Sequence, residues 1–175
     1  SLLRKSLDHP EANVRKEALP GIAKLLKEEA SAPIADALDD VDLEVKKRAA
    51  ACLGLTGIAD PGVYKKLARI LSAKDCSEEL SVPIVAALNR LKPQPNEDPA
   101  LEVALLGFLG SGGFFGVGGR RGSSSPTLRV AVVQALGFIG TGRARKALAK
   151  LSTNPDVAMA KALSETQKRF LSRSV

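Results

Sequence analysis

The residues able to do chemistry are few, and most of them are cations. Arg143, Arg145, Lys146 and Lys150 crowd one short stretch. Of these, Arg143, Lys146 and Lys150 follow i, i+3, i+7 spacing, which a helix would align on one face. Lys65, Lys66 and Arg69 form a second cluster of the same kind. Aligned cations recognise phosphates or carboxylates; the plainer alternative is a solvated helix face that keeps the chain soluble. A third group, Phe114-Phe115 and Arg120-Arg121, lies in the glycine-rich run from Gly110 to Ser125. Glycine at that density cannot hold a helix, and helix connections usually run about two to eight residues. The segment at 111–125 therefore reads as a flexible loop. In one reading it is a recognition finger, with Phe114 and Phe115 anchored in a partner's pocket and Arg120 and Arg121 meeting acids or phosphates. In the other, the Phe pair tucks onto its own neighbouring helices. It is no phosphate loop, because Gly-Lys-Ser/Thr is missing and the preceding segment reads as helix.

What is scarce excludes more. Among 175 residues there is no Trp, one Tyr, and one His, His9. General acid–base catalysis draws mostly on His, and base stacking draws on aromatic rings. Cys52 and Cys76 have no Cys-x-x-Cys or His companions, so neither a zinc site nor a disulfide framework is expected. Two free thiols fit a reducing, cytoplasmic setting. His9 precedes Pro10 and reads as a turn residue, and Cys52 reads as core. No apolar run reaches the ~18 residues of a membrane span. No catalytic residue, metal, cofactor or small-molecule substrate is expected. The chain begins at Ser1 rather than Met and reads as a fragment or a processed form. Charge is polarised: residues 1–119 hold 15 Lys and Arg against 17 Asp and Glu, while 120–175 hold 11 against 2. A basic C-terminal third points to an anionic partner.

These side chains need elements to position them, and the elements repeat. Val14-Arg15-Lys16-Glu17-Ala18-Leu19 recurs 31 residues later as Val45-Lys46-Lys47-Arg48-Ala49-Ala50. Further copies begin at Leu80, Leu128 and Val157. Each is apolar at helical spacing. Asp39-Asp40-Val41-Asp42, Asp60-Pro61-Gly62 and Asn154-Pro155-Asp156 carry the cap and first-turn chemistry of helix starts. Gly54, Gly57, Gly110 and Gly140 read as helix stops. The spacing predicts outer (A) helices over 11–28, 42–55, 77–91, 126–139 and 155–172. Inner (B) helices are predicted over 31–39, 60–72, 98–109 and 142–152, after an opening helix at 2–8. Pro20 and Pro83 fall inside A helices and should kink them.

The run Asp42-Leu43-Glu44-Val45-Lys46-Lys47-Arg48-Ala49, then Leu53-Gly54 and Gly57, then Val63, Leu67, Ile70 and Leu71, resembles the HEAT repeat. It is most similar to the short bacterial variety named after the phycobilisome-lyase proteins. That resemblance implies an all-α, right-handed superhelix, an α-solenoid of about five helix pairs. The B helices would line its concave face, which in the family usually holds a protein partner and sometimes nucleic acid. The hydroxylases of this fold use His-Glu pairs, and this chain has none. The expectation is one HEAT-like domain over 1–175 that serves as a non-catalytic scaffold or adaptor. It would bind a protein partner through Lys65, Lys66, Arg69, Arg143, Lys146, Lys150 and the loop residues. The alternative is a nucleic-acid-binding module that uses the basic C-terminal third.

Overall fold

The computed structural model describes residues 5–57, 60–94, 99–109, 125–151 and 157–172, and every regular element among them is helical. In chain order they are α1 (Ala12–Leu26), α2 (Ser31–Asp36), α3 (Leu43–Thr56), α4 (Pro61–Ser72), α5 (Glu78–Leu91), α6 (Pro99–Gly107), α7 (Pro126–Ile139), α8 (Gly142–Leu151) and α9 (Val157–Ser172). The odd-numbered helices are the expected A helices and the even-numbered ones the B helices. Short 3-10 turns cover Ser6–Asp8, Lys27–Ala30 and Ala37–Asp39. The end of the expected opening helix is thus a 3-10 turn, and another links α1 directly to α2.

Helix boundaries agree with the sequence because local chemistry sets them. Asp42 Oδ1 accepts from the amides of Glu44 and Val45 at 2.9 and 3.1 Å and starts α3. Asp60, Ser77 and Ser125 accept in the same way from Val63, Leu80 and Leu128. Each satisfies an amide that the first helical turn leaves without a partner. Gly57 and Gly140 close α3 and α7 with φ of 70° and 65°, left-handed values that glycine adopts without steric cost. The segments 110–125 and 154–156 lie outside the described residues, apart from Ser125.

Gly54 is not a stop. It lies inside α3, where a Cβ would stand 3.1 Å from the Cα of Ala87 and from Cδ of Arg90 on α5. Its missing side chain lets two A helices approach closely.

The chain forms two compact units, Ser1–Leu67 with Ser77–Leu91 and Ala68–Cys76 with Lys92–Val175, so the boundary crosses α4 after Leu67. In the first unit α3 packs between α1 and α5, and α2 lies against α1 and α3. Its core includes Leu19, Ile22, Ile34, Leu53, Ile84 and Leu88, all at 0% exposure. In the second unit α7 is the hub and touches α6, α8 and α9. Leu105, Val132, Val133 and Leu136 are its most deeply buried large side chains, with Leu163 and Phe170 added from α9. Burying each large aliphatic side chain contributes about 1.5–3 kcal/mol. In both units, packing is most extensive between successive A helices.

Candidate binding surfaces

Alternation of packed and open positions along α8 decides where its cations go. Ala144, Ala147 and Leu148 are buried, while Arg143, Lys146 and Lys150 are exposed. The structure thus places these three expected residues on one solvent-facing strip of the second unit. Arg145, their neighbour, turns back on its own unit. Its Nε donates to the carbonyl of Gly140 at 3.1 Å, and its guanidinium lies 4.8 Å from the centre of the Phe170 ring. Arg169 of α9 stacks similarly over Phe138, at 4.2 Å. Cation–ring contacts of this kind hold α7, α8 and α9 together.

The α4 cluster is different. Lys65 and Arg69 are exposed. Lys66 is drawn into the first unit, with Nζ 3.0 Å from Asp36 Oδ1 and 2.9 Å from Asp39 Oδ2. It bridges α4 to the end of α2 instead of facing a partner. The acids that capture it come from another repeat, so its own spacing carries no sign of them. Lys65 and Lys66 belong to the first unit, Arg69 and the α8 cations to the second. Phe114, Phe115, Arg120 and Arg121 lie outside the described residues.

Several polar residues turn out to be structural. Arg15 and Asp40 form a forked pair, Nε to Oδ2 at 2.7 Å and Nη2 to Oδ1 at 2.8 Å. The second amino group of Arg15 donates to the carbonyls of His9 and Pro10, and Asp40 also accepts from the amide of Asp42. The Arg15 hydrogen bond holds the Asp40 carboxyl below the usual carboxylate range, and the pair raises the Arg15 guanidinium in turn. His9 is a turn residue, its Nδ1 accepting from the amide of Glu11. Glu102, buried on α6, accepts from the hydroxyl of Thr141, which in turn caps α8 by accepting from the amide of Ala144. Burial pushes the Cys52 thiol up, away from the reactive thiolate form.

A feature the sequence reading missed is a groove of about 870 Å³ in the first unit, lined by side chains of α1, α3 and α5. The signal was available. Its lining residues follow the repeat-starting Val14, Val45 and Leu80 at the same positions: Lys16-Glu17, Lys47-Arg48 and Val82-Pro83. No group of three or more His, Cys, Asp or Glu among the described residues is arranged to hold a metal ion. No described helix is long and apolar enough to cross a membrane.

The fold is an all-α solenoid of the armadillo and HEAT-like kind. The complex of CpcE and CpcF of phycocyanin lyase from Nostoc sp. PCC7120 contains a chain that superimposes with a TM-score of 0.72 at 21% identity; the match covers 98% of this chain and 64% of that one. A designed armadillo repeat protein in complex with the peptide (KR)4 gives a TM-score of 0.67 at 23% identity, covering 96% of this chain and 80% of the other. A computationally designed armadillo repeat protein for modular peptide recognition gives 0.63 at 19%, covering 99% and 87%. No protein-family model matches the sequence, and no curated protein matches it.

Proposed function

We propose that residues 1–175 form one HEAT-like repeat domain that works as a non-catalytic protein-binding scaffold or adaptor in the cytoplasm. The observation that carries this reading is α8, with one face packed into the second unit and the other presenting Arg143, Lys146 and Lys150 to solvent. Such a strip suits an acidic surface on a partner protein, which the cations would steer and orient. The proposed partner contacts also include Lys65, Arg69 and the loop residues Phe114, Phe115, Arg120 and Arg121, with the Phe pair as an apolar anchor. Lys66 holds the α4 face in place through Asp36 and Asp39. The solved solenoids align along nearly the whole chain, which supports a single array, and two of them are described by the proteins or peptides they bind. The reading requires no cofactor.

The test is affinity capture of partners with the full chain, with an Arg143→Glu, Lys146→Glu, Lys150→Glu variant, and with residues 111–125 deleted. Loss of the same protein from both variants is expected. Retention of every partner by both variants overturns this surface. The same α8 strip also supports a second reading, binding of nucleic acid through phosphate contacts. That reading expects duplex or single-stranded DNA or RNA to bind with an affinity that falls steeply with salt. Absence of binding at low salt removes it.

A further inference from the structure

The groove in the first unit has a modular lining. Each of three successive A helices contributes the positions that lie two and three residues after its repeat-starting apolar residue. Helices in such a layer stand about 8–10 Å apart, and an extended chain rises about 3.3 Å per residue. A segment of about six residues therefore spans the three helices.

Its chemistry changes along its length. On α3, Lys47 is held by Glu44 at 2.7 Å, and Arg48 reaches Glu17 of α1 at 3.4 Å. On α5 the lining side chains are Glu78 and Glu79 beside an apolar shelf of Val82 and Pro83, with no cation among them. Val82 is 38% exposed. The field of Glu79 also reaches Lys47 and helps hold it protonated, after the larger effect of Glu44. Two adjacent carboxylates beside an apolar shelf suit a forked guanidinium followed by an aliphatic side chain.

We propose that this groove binds an extended, arginine-bearing segment of a partner protein, with a basic side chain against Glu78 and Glu79 and an aliphatic one on Val82 and Pro83. The proposal rests on the reading of the chain as an interaction module and adds a site on its A helices. A net charge of +7 disfavours indiscriminate capture of cations, so binding of a basic peptide demands a local acidic site.

The test is fluorescence anisotropy of a fluorescein-labelled (Arg-Val)5 peptide titrated with the full chain, with (Glu-Val)5 as its counterpart. (Arg-Val)5 is expected to bind at micromolar concentration and (Glu-Val)5 at least tenfold more weakly. Glu78→Lys with Glu79→Lys should weaken (Arg-Val)5 at least tenfold, and Val82→Ser severalfold even at high salt. Glu29→Lys with Asp75→Lys makes the same change in net charge at exposed positions outside the groove and should change affinity less than twofold. Circular dichroism checks that each variant is folded. No binding of (Arg-Val)5, or equal losses from both charge-reversed pairs, overturns the groove. Either result leaves the wider scaffold reading to the capture experiment with α8 and the loop. Conversely, peptide binding that disappears only with the groove variants stands even if that capture experiment finds no partner.

Discussion

Gly54 and Gly137 hold the same place in two copies of the repeat, each after a fully buried leucine and three residues before a left-handed glycine. Their surroundings differ. A Cβ on Gly54 would stand 3.1 Å from the Ala87 backbone and from the flexible Arg90 side chain. A Cβ on Gly137 would meet Thr166 Cγ2 at 2.6 Å and its Oγ1 at 2.9 Å. Thr166 is 1% exposed and its hydroxyl donates to the carbonyl of Ala162, so it has little freedom to move aside. Polar contacts contrast in the same way. In the first unit Arg15–Asp40 ties α1 to the turn before α3 and Lys66 ties α4 to Asp36 and Asp39 at the end of α2, whereas in the second Arg145 and Arg169 lie on aromatic rings. A shared pattern thus specifies close approach of A helices, while each seam is completed by whatever residue the next helix brings.

The largest expected effect probes what the two regions share. Leu53→Asp and Leu136→Asp each place a carboxylate at a site with no exposure and should cost about 4 kcal/mol. In a chain of this size that lowers Tm by roughly 10 °C, whereas Lys161→Asp on the exposed face of α9 should stay within about 0.5 kcal/mol. Equal melting temperatures for Leu136→Asp and Lys161→Asp would break the repeat assignment itself.

The glycine pair sharpens the contrast. Gly137→Ala should destabilise by about 1–3 kcal/mol through overpacking against Thr166. In Gly54→Ala the clash is milder and the gain in helix propensity, about 0.5–1 kcal/mol, offsets part of it. Urea titrations would read both, and a larger loss at Gly54 would reverse the comparison. Thr166→Ala should recover about 1 kcal/mol of the Gly137→Ala loss in a double-mutant cycle. Strict additivity would mean that the Gly137–Thr166 contact is not the cause. Gly107→Ala, with nothing within 4 Å of the new methyl, should change stability least, by about 0.5 kcal/mol at most.

Acid should separate the two regions. Asp40 has a folded-state pKa below its ordinary value of about 3.9, mainly because Arg15 donates to it. Its contribution is complete above that ordinary value and is lost as pH falls through the depressed one. The guanidinium–ring contacts of the second unit involve no carboxylate. Hydrogen exchange below pH 4 should therefore show α1 and α3 losing protection before α7 and α9. Asp40→Asn should flatten the acid dependence of the first unit, and an unchanged profile would remove the Arg15–Asp40 pair as its cause.

Helix positions were legible because their causes are local. Apolar spacing near 3.6 residues, Asp or Ser at the start and a glycine able to take positive φ at the end all act within a few residues. The exposed strip of Arg143, Lys146 and Lys150 was legible for the same reason, since one helix alone aligns it. The use of Gly54 was not. Locally it resembles Gly57, and only the arrival of Ala87 from α5 distinguishes a close approach from a stop. Lys66 resembles Lys65 in the chain, yet the Asp36 and Asp39 carboxylates claim one and leave the other exposed.

The sequence by itself determined the repeat, the helices, their caps and the apolar faces that had to be buried, because periodicity and short-range hydrogen bonds carry that information. Tertiary structure alone decided which cations reach the acids of another repeat and which are exposed, how closely the A helices approach, and that side chains from α1, α3 and α5 meet around a groove. Those outcomes depend on groups about 25 or more positions apart, close to the repeat spacing, and only packing brings such groups within reach of one another.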